Sequence, residues 1–317
     1  MKCSGARLED WMMRRFNGDE DYWRIRDFLR LVISLRGKQD LCWHVSRFDY
    51  WRWHGIENLQ TYPSLEAATL IWESKDSQIV AVLNPEGEGE AFLQVHPDFY
   101  VHGQMEEMVT VAEEQLVIID PNGGQKLKVW CNEQDSVLQD ILFSRGYTRE
   151  GNSEYQRWRK IDAQIPQAGV APGYTVRSMG DNTELPSRSW ASWKAFHPDE
   201  PEERYEGWEW YLNIQRIPLY RRDLDLVSVA PSGEIAGFCT VWFDDVTRTA
   251  YFEPVGVMPV HQQRGLGKSM MYEGLNRLER LGATKAFVGS YGSAAHALYA
   301  SVGFVEFDLS VAWLKVF

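Results

Sequence analysis

Between residues 251 and 304 the chain carries three groups of residues whose types can do chemistry together. The first is Gln262-Gln263-Arg264-Gly265-Leu266-Gly267-Lys268-Ser269, which follows the β-rich run from Tyr251 to Val257 and the turn pair Met258-Pro259. Behind it Met271, Leu275 and Leu278 recur at i, i+4 and i+7, Arg277 and Arg280 fall in the last turn, and Gly282 closes the pattern. This is a helix opened by glycines. Backbone N–H groups and the positive end of the helix dipole converge at such a start. Gly265 and Gly267 let a phosphate approach the backbone unhindered, so a pyrophosphate is the fitting ligand. The second group is Leu298-Tyr299-Ala300-Ser301-Val302-Gly303-Phe304, preceded by the strand Ala286-Phe287-Val288 and by Ser293 as the predicted N-cap of a helix. The third is Glu253, in the strand ahead of the turn.

Two familiar glycine motifs are excluded. A P-loop needs a glycine five residues before Gly267, where Gln262 stands, and the dinucleotide fingerprint needs a third glycine where Met270 stands. What remains is Gln-x-x-Gly-x-Gly, and here the sequence resembles the GNAT superfamily of acyltransferases. The lead-in Glu253-Pro254-Val255-Gly256-Val257 and the later Leu-Tyr-x-x-x-Gly-Phe match that family in order and separation. The resemblance runs over about 145 residues from Gly173. One departure is Gly292, where many members have an asparagine that touches the pantetheine arm.

The resemblance implies a two-substrate reaction in which acetyl-CoA is the donor and a primary amine the acceptor. An amine with a pKa near 10.4 arrives protonated and must lose a proton before it attacks a thioester; a departing thiolate, with a thiol pKa of about 8.5, is helped by an acid. By resemblance the acid is Tyr299 and the base, acting through water, is Glu253. The donor site implied is Val255, Val257, Gln262, Gln263, Arg264, Gly265, Leu266, Gly267, Lys268, Ser269 and Ser293, with the fourth strand of the fold splaying from the fifth at Val255–Val257. For the acceptor, the aromatic and acidic segment ahead of the strands offers Glu203, Trp208 and Tyr211, since aromatic walls with carboxylates suit an amine.

The elements that must position these groups occur twice. Trp51-Arg52-Trp53 precedes Trp208-Glu209-Trp210 by 157 residues, and Gly146 precedes Gly303 by the same offset; Ile79–Val82 lies under Ile235–Phe238, and His96-Pro97 under Met258-Pro259. The predicted architecture is α/β, two tandem GNAT-fold domains. Each is a mixed, mostly antiparallel twisted sheet flanked by helices. The boundary is expected in the proline- and glycine-bearing stretch Asp162–Gly173, giving a degenerate domain over 1–165 and a catalytic domain over 166–317. The first copy has Tyr100 for Gln262, Met105 for Gly267 and Leu142 for Tyr299, so both cradle and acid are lost there.

A net charge of −12 disfavours nucleic acid as a partner and suits a cationic small-molecule amine. Cys3, Cys42, Cys131 and Cys239 are scattered singly, which indicates neither a metal site nor a disulfide framework. With no apolar run of about 18 residues and no leader pattern, the expectation is a cytoplasmic monomer or homodimer with no membrane partner. Acetylation of a peptide or protein amine, and an acyl-CoA sensor without turnover, are the alternatives.

Overall fold

The computed structural model describes residues 11–119, 123–162, 165–167 and 169–317; Cys3 lies outside them. In chain order the elements are β1 (Trp11–Arg15), α1 (Gly18–Arg36), α2 (Val45–Tyr50), a π-helical turn (Trp51–Ile56), α3 (Leu65–Ala68), β2 (Leu70–Ser74), β3 (Ile79–Asn84), β4 (Glu90–Val95), α4 (His102–Gln115), β5 (Ile118–Ile119), β6 (Gln125–Asn132), α5 (Ser136–Ser144) and β7 (Thr148–Lys160). They are followed by β8 (Thr175–Ser178), α6 (Leu185–Phe196), α7 (Tyr211–Ile214), β9 (Asp225–Val229), β10 (Ile235–Asp244), β11 (Thr249–Val257), α8 (Leu266–Arg280), β12 (Lys285–Ser290), α9 (Ser293–Ser301) and β13 (Glu306–Val316).

These elements form two compact units, Met1–Tyr155 with Asp308–Phe317, and Gln156–Phe307, so a cut at a single point of the chain does not separate them. In the first unit β1, β2, β3 and β4 pair antiparallel in that order, and β4 then pairs with β6 in parallel. The last strand of the chain completes this sheet, with Ser310↔Asn132 through Val316↔Lys126 antiparallel. The second unit repeats the pattern: β8, β9, β10 and β11 are antiparallel neighbours, and β11 pairs with β12 in parallel. Each unit is therefore the mixed, mostly antiparallel sheet with flanking helices expected from the repeat. The landmarks correspond too. Pro97–Phe99 and Pro259–His261 are both 3-10 turns, and Gly146 and Gly303 both take positive φ just after α5 and α9.

In the second unit every residue of β10 is buried, because α6 and α8 both pack on it. Met270, Met271, Leu275 and Leu278 of α8 enter the core with Leu226, Cys239, Val241 and Phe252, and Lys268 and Arg280 remain exposed. Gly274 lies at the centre of that contact. A Cβ added there would stand 2.9 Å from Phe252 Cε1 and 3.1 Å from Val241 Cγ2.

No helix among the described residues is long and apolar enough to cross a membrane. Gly274 yields a first prediction. Helix propensity alone favours replacing a glycine, by about 1 kcal/mol. Crowding against a ring and a strand reverses the sign, so Gly274→Val is expected to cost about 1–3 kcal/mol, or several degrees of melting temperature. Thermal unfolding checks this, and a variant as stable as the parent would show that α8 has room to shift on the sheet.

Candidate active site

β11 is held by β10 along its length and by β12 only at its start. The parallel register consists of Thr249↔Lys285, Ala250↔Ala286 and Tyr251↔Phe287, although β12 continues to Ser290. On the other side the pairs Val241↔Phe252 and Cys239↔Val255 leave Thr240 facing both Glu253 and Pro254. This is a β-bulge, and Pro254, with no N–H to give, suits it. Beyond the bulge Phe238 pairs with Gly256 and Gly237 with Val257, while Met258 donates its N–H to Ala236 O at 2.9 Å. That bond fixes the parity: Gly256 and Met258 turn their backbone groups to β10, and Val255 and Val257 turn theirs to the side that β12 has left. On that side Val257 O is taken by Gln262 Nε2, and the N–H of Val257 with the backbone groups of Val255 is left by β12 for a ligand to bond.

The turn that follows opens α8. Gly265 is its N-cap, in the left-handed region at φ +73°, and Gln263 is also left-handed at φ +61°. Leu266, Gly267 and Lys268 form the first turn, whose N–H groups have no intrahelical acceptor. Gln262 Nε2 donates to Val257 O at 3.1 Å and so ties the turn to the end of β11. A Cβ on Gly265 would meet nothing within 4 Å, which leaves this approach open. Arg264 and Lys268 are exposed beside it.

Turn, bared edge and α9 enclose a cleft of about 520 Å³, whose lining includes Val255, Gly256, Val257, Gln262, Gln263, Gly265, Leu266, Gly267, Lys268, Leu298 and Tyr299. Tyr299 is 7% exposed. Burial, with the nearby Cys239 and Glu253, raises its pKa well above the ordinary value of 10. The hydroxyl therefore keeps its proton at neutral pH and serves as a donor. Glu253 is half-buried at the bulge, its carbonyl accepting from Trp242 Nε1 at 2.6 Å. A larger hollow of about 670 Å³ lies in the first unit, among Asp19, Arg52, Glu57, Glu66 and Glu88.

Several sequence expectations are corrected. Gly267 lines the cleft as a buried residue, and a Cβ on it would press on Leu298 Cδ2 at 3.1 Å, so its smallness also serves α8–α9 packing. Ser269 is buried with its hydroxyl 2.8 Å from Gly169 O and 3.1 Å from Gly265 O, facing away from the cleft. Ser293 is the first residue of α9 and Gly292 the N-cap, because Gly292 is the last residue with extended backbone. Tyr211 is fully buried, its hydroxyl donating to Asp225 at 2.8 Å, which makes it a core residue. Glu203 is exposed in a 3-10 turn and Trp208 half-buried in a bend, and neither lines the cleft. The wall on that side is instead Ala195 and Phe196 at the end of α6, and no spacing or motif marks these two in the sequence.

The first unit keeps the parting of strands and fills it. β4 and β6 pair only at Glu90↔Lys128 and Ala91↔Val129. His96 N–H bonds Val80 O at 2.9 Å, as Met258 N–H bonds Ala236 O, so Val95 holds the place of Val257; Val95 N–H is taken by Leu41 O at 2.9 Å. Trp43, Phe92 and Trp130 pack their rings alongside. Tyr100, in the place of Gln262, hydrogen-bonds the Asp135 carboxylate at the N-cap of α5. Met105 and Leu142 are core residues.

A glycine-opened helix, a strand edge left by its neighbour and a buried tyrosine meet around one cleft. Residues 184–304, all within the second unit, match the acetyltransferase (GNAT) family, which identifies that unit as a GNAT N-acetyltransferase domain. It is 24% identical to the mycothiol acetyltransferase of Arthrobacter sp. (strain FB24) over 98% of both chains, and 24% identical to that of Pseudarthrobacter chlorophenolicus over 74% of this chain and 72% of the other. Among solved structures, a GCN5-related N-acetyltransferase from Sphaerobacter thermophilus superposes with a TM-score of 0.68 at 16% identity, covering 97% of this chain and 96% of that one. A tandem GNAT protein from the clavulanic acid biosynthesis pathway gives 0.65 at 15%, covering 97% and 98%. The tandem fold is common to these three chains.

Because Gly265 has free space around it, substitution there acts through the backbone. A β-branched residue held at φ +73° costs about 1–3 kcal/mol. Gly265→Val is expected to weaken coenzyme A binding by about tenfold in calorimetric titration, whereas Gly265→Asn, which tolerates the left-handed region, retains most of the affinity. Equal losses in both variants would assign the effect to side-chain bulk instead of conformation.

Proposed function

We propose that the second unit transfers an acetyl group from acetyl-CoA to the primary amine of a small molecule, by direct attack of the amine on the thioester. The observation that carries this reading is the parted edge of β11, whose Val255 and Val257 line one cleft together with Gly265 and Tyr299. In this reading the diphosphate of the donor lies at the first turn of α8, and its pantetheine arm bonds the bared edge as an added strand would. The similarity to mycothiol acetyltransferases makes a small-molecule amine the first acceptor class to test. The first unit, with its edge filled, is read as a degenerate copy kept for structure, and acetyl-CoA is expected to titrate to one site per chain.

Glu253, at the mouth of the gap, is the proposed base through a water. The bulge turns this residue out of the regular alternation of β11. Tyr299 faces the leaving sulfur. Its raised pKa lies above that of a thiol, about 8.5, so full proton transfer to the thiolate is uphill. The hydroxyl then contributes a hydrogen bond to the developing negative charge, and water completes protonation.

Tyr299→Phe, which keeps the packed ring, is accordingly expected to lower kcat by about tenfold to a hundredfold, at or below the low end for acid catalysis, and to leave acetyl-CoA affinity near its original value. Thiol release from acetyl-CoA over a panel of amines measures both the acceptor and this effect. Full activity of Tyr299→Phe from pH 6 to 9 would make the tyrosine structural, and absence of thiol release with every amine would favour a binding role over turnover.

A further inference from the structure

The chain that leads into β8 is fastened to the phosphate turn. Gly169 O accepts from Ser269 Oγ in the first turns of α8 at 2.8 Å, and Ala171 and Tyr174 pack on Leu266 with Val257, Ala230 and Ala236. Gly173 makes the bend at φ +80°, where a Cβ would stand 2.9 Å from Pro231. Tyr174 is then anchored at its far end: its hydroxyl lies 3.0 Å from His261 Nδ1, and the two rings meet edge to face at 5.8 Å. His261 Nε2 lies 3.2 Å from Glu234 Oε2. A carboxylate only accepts, so Nε2 carries the hydrogen; in the neutral imidazole Nδ1 then accepts and the Tyr174 O–H donates. His261 itself lines the cleft.

Over the face of this fixed ring sits the guanidinium of Arg264, its Cζ 5.9 Å from the ring centre. Arg264 is the exposed residue just before Gly265. A long exposed side chain loses rotamer freedom when it meets a phosphate, and a ring that already favours one placement lessens that loss. We propose that residues 169–174 belong to the donor site: Tyr174, held by His261 and Glu234, is a positioning residue that presents Arg264 to the phosphates of the donor. The proposal rests on the acetyl-CoA reading. It assigns Tyr174 a task that neither the glycine motif nor the tyrosine motif contains.

The discriminating experiment compares acetyl-CoA with S-acetylpantetheine, which has the thioester and the arm and no phosphate. The wild-type enzyme should favour acetyl-CoA; an enzyme that treats the two donors alike would overturn the donor reading and this one together. Tyr174→Leu keeps apolar bulk and removes the platform. It should raise KM for acetyl-CoA by about twofold to fivefold, the range of an exposed cation–ring contact, and leave KM for S-acetylpantetheine in place. Tyr174→Phe, which keeps the ring and loses the anchor, should give a smaller rise. On an Arg264→Gln background, Tyr174→Leu should add nothing, since the side chain it positions is gone. Equal KM increases for both donors, or an undiminished effect on that background, would mean that Tyr174 only packs the strap, and the donor reading would stand without it.

Discussion

The hydrogen-bonding groups of β11 that β12 leaves unpaired are the constraint around which the second unit is arranged. A buried backbone N–H or C=O without a partner costs about 1–3 kcal/mol, so an unpaired edge inside a sheet persists only where water or a ligand reaches it. The bulge at Glu253-Pro254 brings the edge into being by bending β11 away while β10 still holds it. Gly256 lets the strand lie flat on its neighbour beyond the bulge. A Cβ there would run into the Phe238 ring at 2.3 Å, and Phe238 in turn packs against Phe196 at the cleft wall.

Behind this edge lies a buried polar network that fixes β9 and β10. Asp225 Oδ2 accepts from Tyr211 at 2.8 Å and Tyr220 at 2.9 Å, and Oδ1 accepts from Thr240 at 3.2 Å. The Arg188 guanidinium, fully buried on α6, bonds Thr240, stands 3.7 Å from Asp225, and lies 4.1 Å from the centre of the Phe238 ring. Two charges out of water gain little net stability over an apolar core, but removing either one strands the other. The network therefore sets position more than stability: Thr240 is the residue opposite the bulge, and α6 delivers Phe196 from the same helix that carries Arg188.

The glycine turn that opens α8, the helix that carries Tyr299 and the repeated order of elements were legible in the sequence because each depends on local chemistry. A glycine at a left-handed cap, a proline at a 3-10 turn and an apolar helical period leave marks within a few residues of themselves. The errors share a different cause. Ser269 sits inside the motif but bonds Gly169 O, a contact set by a strap about 100 residues earlier. Tyr211 looked like an acceptor aromatic and is buried because Asp225, 14 residues on, needs its hydroxyl. The closing strand of the first unit's sheet comes from residues 308–317, a pairing that no spacing within the first half announces.

The two copies use their matching positions differently. Once Leu41 O bonds Val95 N–H and the rings of Trp43 and Phe92 occupy the gap, no ligand arm has an edge to pair with. The matching positions serve packing: Leu142 and Met105 bury apolar bulk where the second unit has Tyr299 and Gly267. A fully buried leucine or methionine contributes about 1.5–3 kcal/mol, more than a tyrosine hydroxyl with nothing to donate to. In the second unit the same energetics act in the other direction, because the small glycine and the proton-keeping tyrosine hold their places only as long as the edge between them stays bare.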